Sequence, residues 1–214
     1  MTILITGANR GIGAALLSHY ASSGVAAQGT SRKAVNGLLP LEVTDPSSHA
    51  ALARRLDGVP VDLLVCNAGV YLDKGQKLDG GYAAQMWDDS FAANVKGVFL
   101  TIQSLLPNLR AAKGKIAIIS SQMASDTKAP GGSYIYRASK AAVLNLGRNL
   151  AVDLRGDGIA VGIYHPGWVQ TDMGGRAAEI TTAEAVTGLA GRFAALGMGT
   201  TGCFETWDGR DHPF

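Results

Sequence analysis

The chain has 214 residues, 17% charged and 47% apolar, with a formal net charge of +2. That length suits one α/β domain over residues 1–214, burying roughly 70% of its unfolded surface, and the composition excludes a disordered chain. Basic residues are scattered apart from Arg32-Lys33 and Arg54-Arg55, no apolar run reaches a membrane span, and Cys66 and Cys203 have neither disulfide nor zinc spacing, which argues against nucleic-acid, membrane and metal partners.

In chain order, a strand Ile3 to Ile5 leads into a helix from Ile12 to Ser22, followed by a strand from Val25 to Thr30 and another from Leu38 to Val43. Asp45-Pro46-Ser47 opens a helix from Ser47 to Leu56, and Val61 to Cys66 reads as a fully buried strand. One long helix is predicted from Met86 to Arg110, then a strand Ile116 to Ser120, a helix Ser133 to Leu154 and a strand Ile159 to Tyr164. A helix Ala183 to Leu196 and a strand Cys203 to Trp207 complete the chain. Strands alternating with helical crossovers predict a doubly wound parallel sheet, a three-layer α/β/α sandwich of Rossmann type. Ligands of such folds sit at the carboxyl ends of the strands, so the residues after Ile5, Thr30, Cys66, Ser120 and Tyr164 are the ones to read for function.

The first strand ends in Thr6-Gly7-Ala8-Asn9-Arg10-Gly11-Ile12-Gly13. Glycines there allow a sharp turn and let backbone amides at a helix N-terminus approach a pyrophosphate. The spacing is GxxxGxG rather than GxGxxG, and a tight turn without a ligand is the bland alternative. After the second strand, Gln28-Gly29-Thr30-Ser31-Arg32-Lys33 lacks the carboxylate that would hold a ribose diol. Arg32, with Arg10 reaching across, offers forked donors for a 2′-phosphate instead, so NADP(H) is expected over NAD(H); solvated loop charges are the alternative.

Tyr136 and Lys140 stand at i and i+4, on one helical face. An ammonium about 5 Å from a phenol, at an effective dielectric of about 20, favours the phenolate by roughly 3 kcal/mol, about two pK units. Tyr136 is therefore expected to become acidic enough to exchange a proton with a carbonyl or alcohol, with Ser121 at the strand end donating to the same oxygen. Each residue alone is explained by packing or exposure; the three beside a Gly-rich phosphate site are not. Met123, Tyr134, Trp168 and Met173 would form apolar walls or merely rim packing, and His165 reads as a strand-end residue held by local hydrogen bonds.

Taken together, the Gly-rich turn, Asn67-Ala68-Gly69, Asn94-Val95-Lys96-Gly97, Ile119-Ser120-Ser121, Tyr136-Arg137-Ala138-Ser139-Lys140 and Pro166-Gly167 resemble the short-chain dehydrogenase/reductase family in order and over nearly the whole chain. The stretches around Tyr134 and His165 to Met173 look like its C-factor and sniffer-type carbonyl reductases. The resemblance implies an oxidoreductase moving a hydride between nicotinamide and a small carbonyl or alcohol; the cytoplasmic location expected for it comes from the two isolated cysteines and from the lack of a membrane run or signal peptide. Its catalytic tetrad would be Asn94, Ser121, Tyr136 and Lys140, with Tyr136 as acid/base, Lys140 on the ribose and tuning the phenol, and Asn94 holding a relay water. It also implies cofactor contacts at Gly7, Asn9, Arg10, Gly11, Ile12, Gly13, Ser31, Arg32, Glu42, Val43, Asn67, Ala68, Gly69, Pro166, Gly167, Val169 and Thr171, and homo-oligomers (dimer or tetramer) through the long helices. Glu42 stands where the family commonly has Asp or Asn against adenine, and the short segment after Thr171 predicts a cleft open to solvent. A nucleotide-sensing or signalling protein on the same scaffold is the alternative, since fold does not fix function.

Overall fold

The computed structural model describes residues 1–214. Seven strands, β1 (Thr2–Ile5), β2 (Ala26–Ser31), β3 (Leu39–Pro40), β4 (Leu63–Cys66), β5 (Lys115–Ile119), β6 (Ala160–His165) and β7 (Phe204–Thr206), form one sheet in the order β3-β2-β1-β4-β5-β6-β7. Every pairing is parallel, with Ile3 opposite Ala27 and Leu63, and Ile118 opposite Cys66 and Ile163. This is the Rossmann-type doubly wound sheet.

Side chains alternate between the two faces of a strand, and both faces are covered here, which is why the central strands are apolar without interruption. Leu4, Leu64, Cys66, Ile116, Ile118, Val161 and Ile163 pack under α2 (Pro46–Arg55), α4 (Gly97–Ser104) and α6 (Tyr134–Asp153). On the other face Ile3, Ile5, Leu63, Val65, Ala117 and Tyr164 meet Leu16 and Tyr20 of α1 (Gly11–Ser22) and Leu189 and Phe193 of α7 (Thr182–Ala195).

Three predicted elements are corrected. The long helix is instead α3 (Ala84–Phe91), a π turn (Ala92–Lys96), α4, and α5 (Leu106–Ala112). Pro107 starts α5, because its ring and missing N–H prevent the preceding helix from running through it. The predicted strand Leu38 to Val43 shrinks to Leu39–Pro40 at the sheet edge, where Pro40 interrupts the row of donors. Residues 61 and 62 precede β4, although Asp62 still tethers the start of β1 through the Thr2 amide at 2.6 Å. The remaining elements fall within a residue or two of expectation. The order reverses between β1 and β4, which opens a crevice beyond their carboxyl ends.

Candidate active site

The crevice is built first by the Gly-rich turn. Gly7 has φ of +65°, and a Cβ on Gly13 would lie 2.4 Å from the Gly7 carbonyl oxygen, so neither position admits a side chain without displacement. Asn67 clamps this turn from β4: its Nδ2 donates to the carbonyls of Thr6 (2.9 Å) and Gly7 (3.2 Å), while the amides of Asn67 and Ala68 donate to Thr6 Oγ1. Asn67 thus shapes the turn.

Helix α1 begins directly at the turn and carries no side-chain cap and no acidic residue in its first turn. By contrast Asp45 caps α2, and a Thr181/Glu184 capping box closes α7. The α1 amides therefore keep their donors for an external anion, and with the close-packed glycines they form a cradle suited to a pyrophosphate. A groove of about 330 Å³ opens beside it, lined by Ala8, Asn9, Leu17, Val35 and Leu38. Arg32 is exposed at the end of β2, and the neighbouring buried Ser31 bonds the Lys33 carbonyl. The Arg10 guanidinium pairs with Asp172 at 3.0 Å.

Glu42 turns back on its own loop, accepting from the Thr44 amide (3.2 Å) and hydroxyl (3.0 Å). The Val43 carbonyl accepts from His49. Val169 is buried, Pro166 likewise, and Gly167 has φ of +88° beside Ile180 and Trp207. Thr171 reaches the Gly-rich turn, its methyl 3.6 Å from where a Cβ on Gly11 would stand, and Ile12 packs against the α1 face of the core.

The proton-handling residues meet at the start of α6. Tyr136 and Lys140 are both buried, with Lys140 Nζ 5.6 Å from the phenol ring centre and donating to the Ile119 carbonyl at 2.9 Å. Ser121, one residue beyond Ser120 at the carboxyl end of β5, caps a short 3-10 turn through the Met123 amide, and it lies close enough to the Tyr136 phenol to favour its anion. Gly69 runs between Asn94 and Lys140: a Cβ there would lie 3.0 Å from Asn94 Oδ1 and 3.6 Å from Lys140 Nζ. Asn94, in the π turn, accepts from the Val70 amide (2.8 Å) and donates to the Val70 carbonyl (2.9 Å) and Ser139 Oγ (3.0 Å). Both of its amide hydrogens are committed, so the side chain braces the loop after β4 against α6.

The expected acidification of Tyr136 is overturned. Burial pushes the phenol above its usual range, the neighbouring Ser121 hydroxyl pulls the other way, and Tyr71 and Asp73 add to the rise. Burial also lowers the Lys140 ammonium to about 8. Desolvation therefore outweighs the attraction on which the sequence argument rests. His165, at the end of β6, is also corrected: its buried Nδ1 has no hydrogen-bond partner, and burial followed by the nearby His212 lowers the ring to about 4.

Several site residues were not anticipated. Tyr71 stacks on Tyr136 with ring centres 4.2 Å apart, and its hydroxyl bonds Ser133 Oγ at 2.5 Å. Asp73 is fully buried against the start of α6. Lys74 bonds the Met173 carbonyl at 2.9 Å, so this link and Arg10–Asp172 both tie down the segment after Thr171. The only advance signal was the acid and aromatic following Gly69, and nothing local marked them as buried. Tyr134, Trp168 and Met173 are 41%, 44% and 37% exposed, which places them at the rim, while Met123 is half-buried.

Residues 1–181 match the family model described as short chain dehydrogenase. The chain is 36% identical over 157 residues to C-signal of Myxococcus xanthus, covering 72% of this chain and 93% of that protein. It is 31% identical over 185 residues to 3-oxoacyl-[acyl-carrier-protein] reductase of Escherichia coli, covering 79% and 74% respectively. Among solved structures, carbonyl reductase Sniffer of D. melanogaster superposes with a TM-score of 0.94 at 25% identity, covering 100% of this chain and 99% of that one. NADPH-bound carbonyl reductase from chicken fatty liver superposes at 0.89 with 29% identity, covering 100% and 98%.

Proposed function

The chain belongs to the short-chain dehydrogenase family, and from that premise we propose that it is a one-domain, NADPH-dependent reductase of small carbonyl compounds, with Tyr136 as proton donor. The observation that carries this reading is the buried phenol with the buried Lys140 ammonium 5.6 Å from its ring and Ser121 beside it. A phenol held above its usual range keeps its proton at neutral pH, the form needed to donate to a carbonyl oxygen as it becomes an alkoxide. When bound, the reduced nicotinamide supplies the hydride.

Ser121 donates from its hydroxyl to the same substrate oxygen as Tyr136 in this reading. Lys140, lowered to about 8, gains and loses its proton near neutral pH and so serves to restore the one Tyr136 gives up. The uncapped amides of α1 receive the pyrophosphate and Arg32 the 2′-phosphate. The NADPH named for the chicken enzyme supports the cofactor assignment. A signalling role draws support from the likeness to a protein named C-signal, and turnover separates the two readings. Mixing the protein with NADPH and a panel of aldehydes and ketones should consume NADPH. Binding of NADPH with no consumption across the panel would favour the nucleotide sensor.

A further inference from the structure

Helix α6 starts in an unusual way. Ser133 occupies its N-cap position, where serine is normally an effective cap, yet its backbone is left-handed (φ +50°, ψ 41°) and its side chain caps no amide of the helix. Its hydroxyl goes instead to Tyr71. The amides of the first turn are taken by a residue more than 60 positions earlier: Asp73 Oδ2 accepts from Ile135 N at 2.9 Å, and both Asp73 oxygens stand 3.3 Å from Tyr136 N.

Asp73 has no exposed surface and no cationic partner within ion-pair distance. Burying a carboxylate in this way is costly, and the cost is offset here by the helix amides and the positive end of the α6 dipole. Holding the helix start alone would not require a charge, because a local serine is already in place. The expense falls at the one helix turn that carries the proton donor.

We infer that Asp73 is a positioning residue for Tyr136: by gripping the Ile135 and Tyr136 amides from outside the helix it fixes where the phenol stands. The inference rests on the proposed role of Tyr136. The segment around Asp73 is itself secured, since Asn94 clamps Val70 and Tyr71 stacks on the phenol ring. The groups facing Tyr136 are Tyr71 and Asp73 from the loop after β4, Ser121 after β5, and Lys140 on α6 itself. Of these Asp73 carries the negative charge, and it adds to the rise that burial imposes on the phenol.

Asp73→Asn and Asp73→Ala separate the acceptor from the charge. Asparagine keeps a carbonyl acceptor for the amides and removes the charge; alanine removes both. With 13Cζ-labelled tyrosine, and Tyr136→Phe to assign the resonance, the NMR chemical shift at neutral pH reads the surroundings of the phenol without turnover. In Asp73→Ala the Tyr136 resonance should move and amide exchange at Ile135 and Tyr136 should speed up at least tenfold, and Asp73→Asn should bring both back towards the parent values. A resonance and exchange rates unchanged in Asp73→Ala with the fold retained, or an asparagine variant no different from the alanine one, overturns the inference. Failure of the reductase reading would appear separately, as a parent protein that turns over no carbonyl while Tyr136 still responds to Asp73.

Discussion

A phenol deep in the protein is pulled towards its neutral form by lost hydration and towards its anion by neighbouring donors. At Tyr136 the first effect prevails, so the phenol is neutral, as the proposed donor role requires. In that proposal Lys140 restores the proton. Below about pH 8 its ammonium holds a proton with which to recharge the phenol, and above that pH it is neutral. The rate of carbonyl reduction measured against pH should therefore be highest on the acid side of about 8 and fall as pH rises through it. A reduction rate that climbs through pH 8 to 9 would remove Lys140 from the relay. Arg32 is exposed and at the end of β2, where no carboxylate stands. Arg32→Asp should raise the Kd for NADPH at least tenfold while leaving that for NADH the same or lower; titration of both by quenching of protein fluorescence checks this. Arg10, already paired with Asp172, should contribute less.

At the scale of elements, the π turn Ala92–Lys96 sets Asn94 between Val70 and Ser139, so a single amide joins the loop after β4 to α6. Asn94→Ala leaves both polar backbone groups of Val70 without their partner, and thermal unfolding should show a loss of about 2 kcal/mol or more. A loss below about 0.5 kcal/mol would mean that Val70 finds other partners. The elements themselves were largely legible. Apolar runs named the strands, helical spacing named the crossovers, and Pro107 and Pro40 each held the signal for the correction that the structure made. The π turn was not legible, because a single wide turn inside a helix has no residue signature of its own.

At the scale of the molecule, parallel order brings the ends of β1, β4, β5 and β6 to one edge, and the site is assembled there from segments far apart in the chain. Tyr136, Lys140 and the Gly-rich turn could be read in advance because each depends on spacing within one element. Asp73 and Tyr71 could not, since their partners Tyr136 and Ser133 lie more than 60 residues away and burial of an acid leaves no local trace. The sign of the phenol shift was missed for the same reason: helical spacing places a charge, but the surrounding loops determine how much water is lost. The account's central claim is that the Tyr136 hydroxyl delivers the proton that completes carbonyl reduction. Comparing NADPH-linked turnover and NADPH affinity in the parent protein and Tyr136→Phe tests it most directly. The account predicts a fall in kcat of roughly a thousandfold or more with Kd within about twofold; a Phe variant that reduces the same carbonyl within tenfold of the parent rate would contradict it.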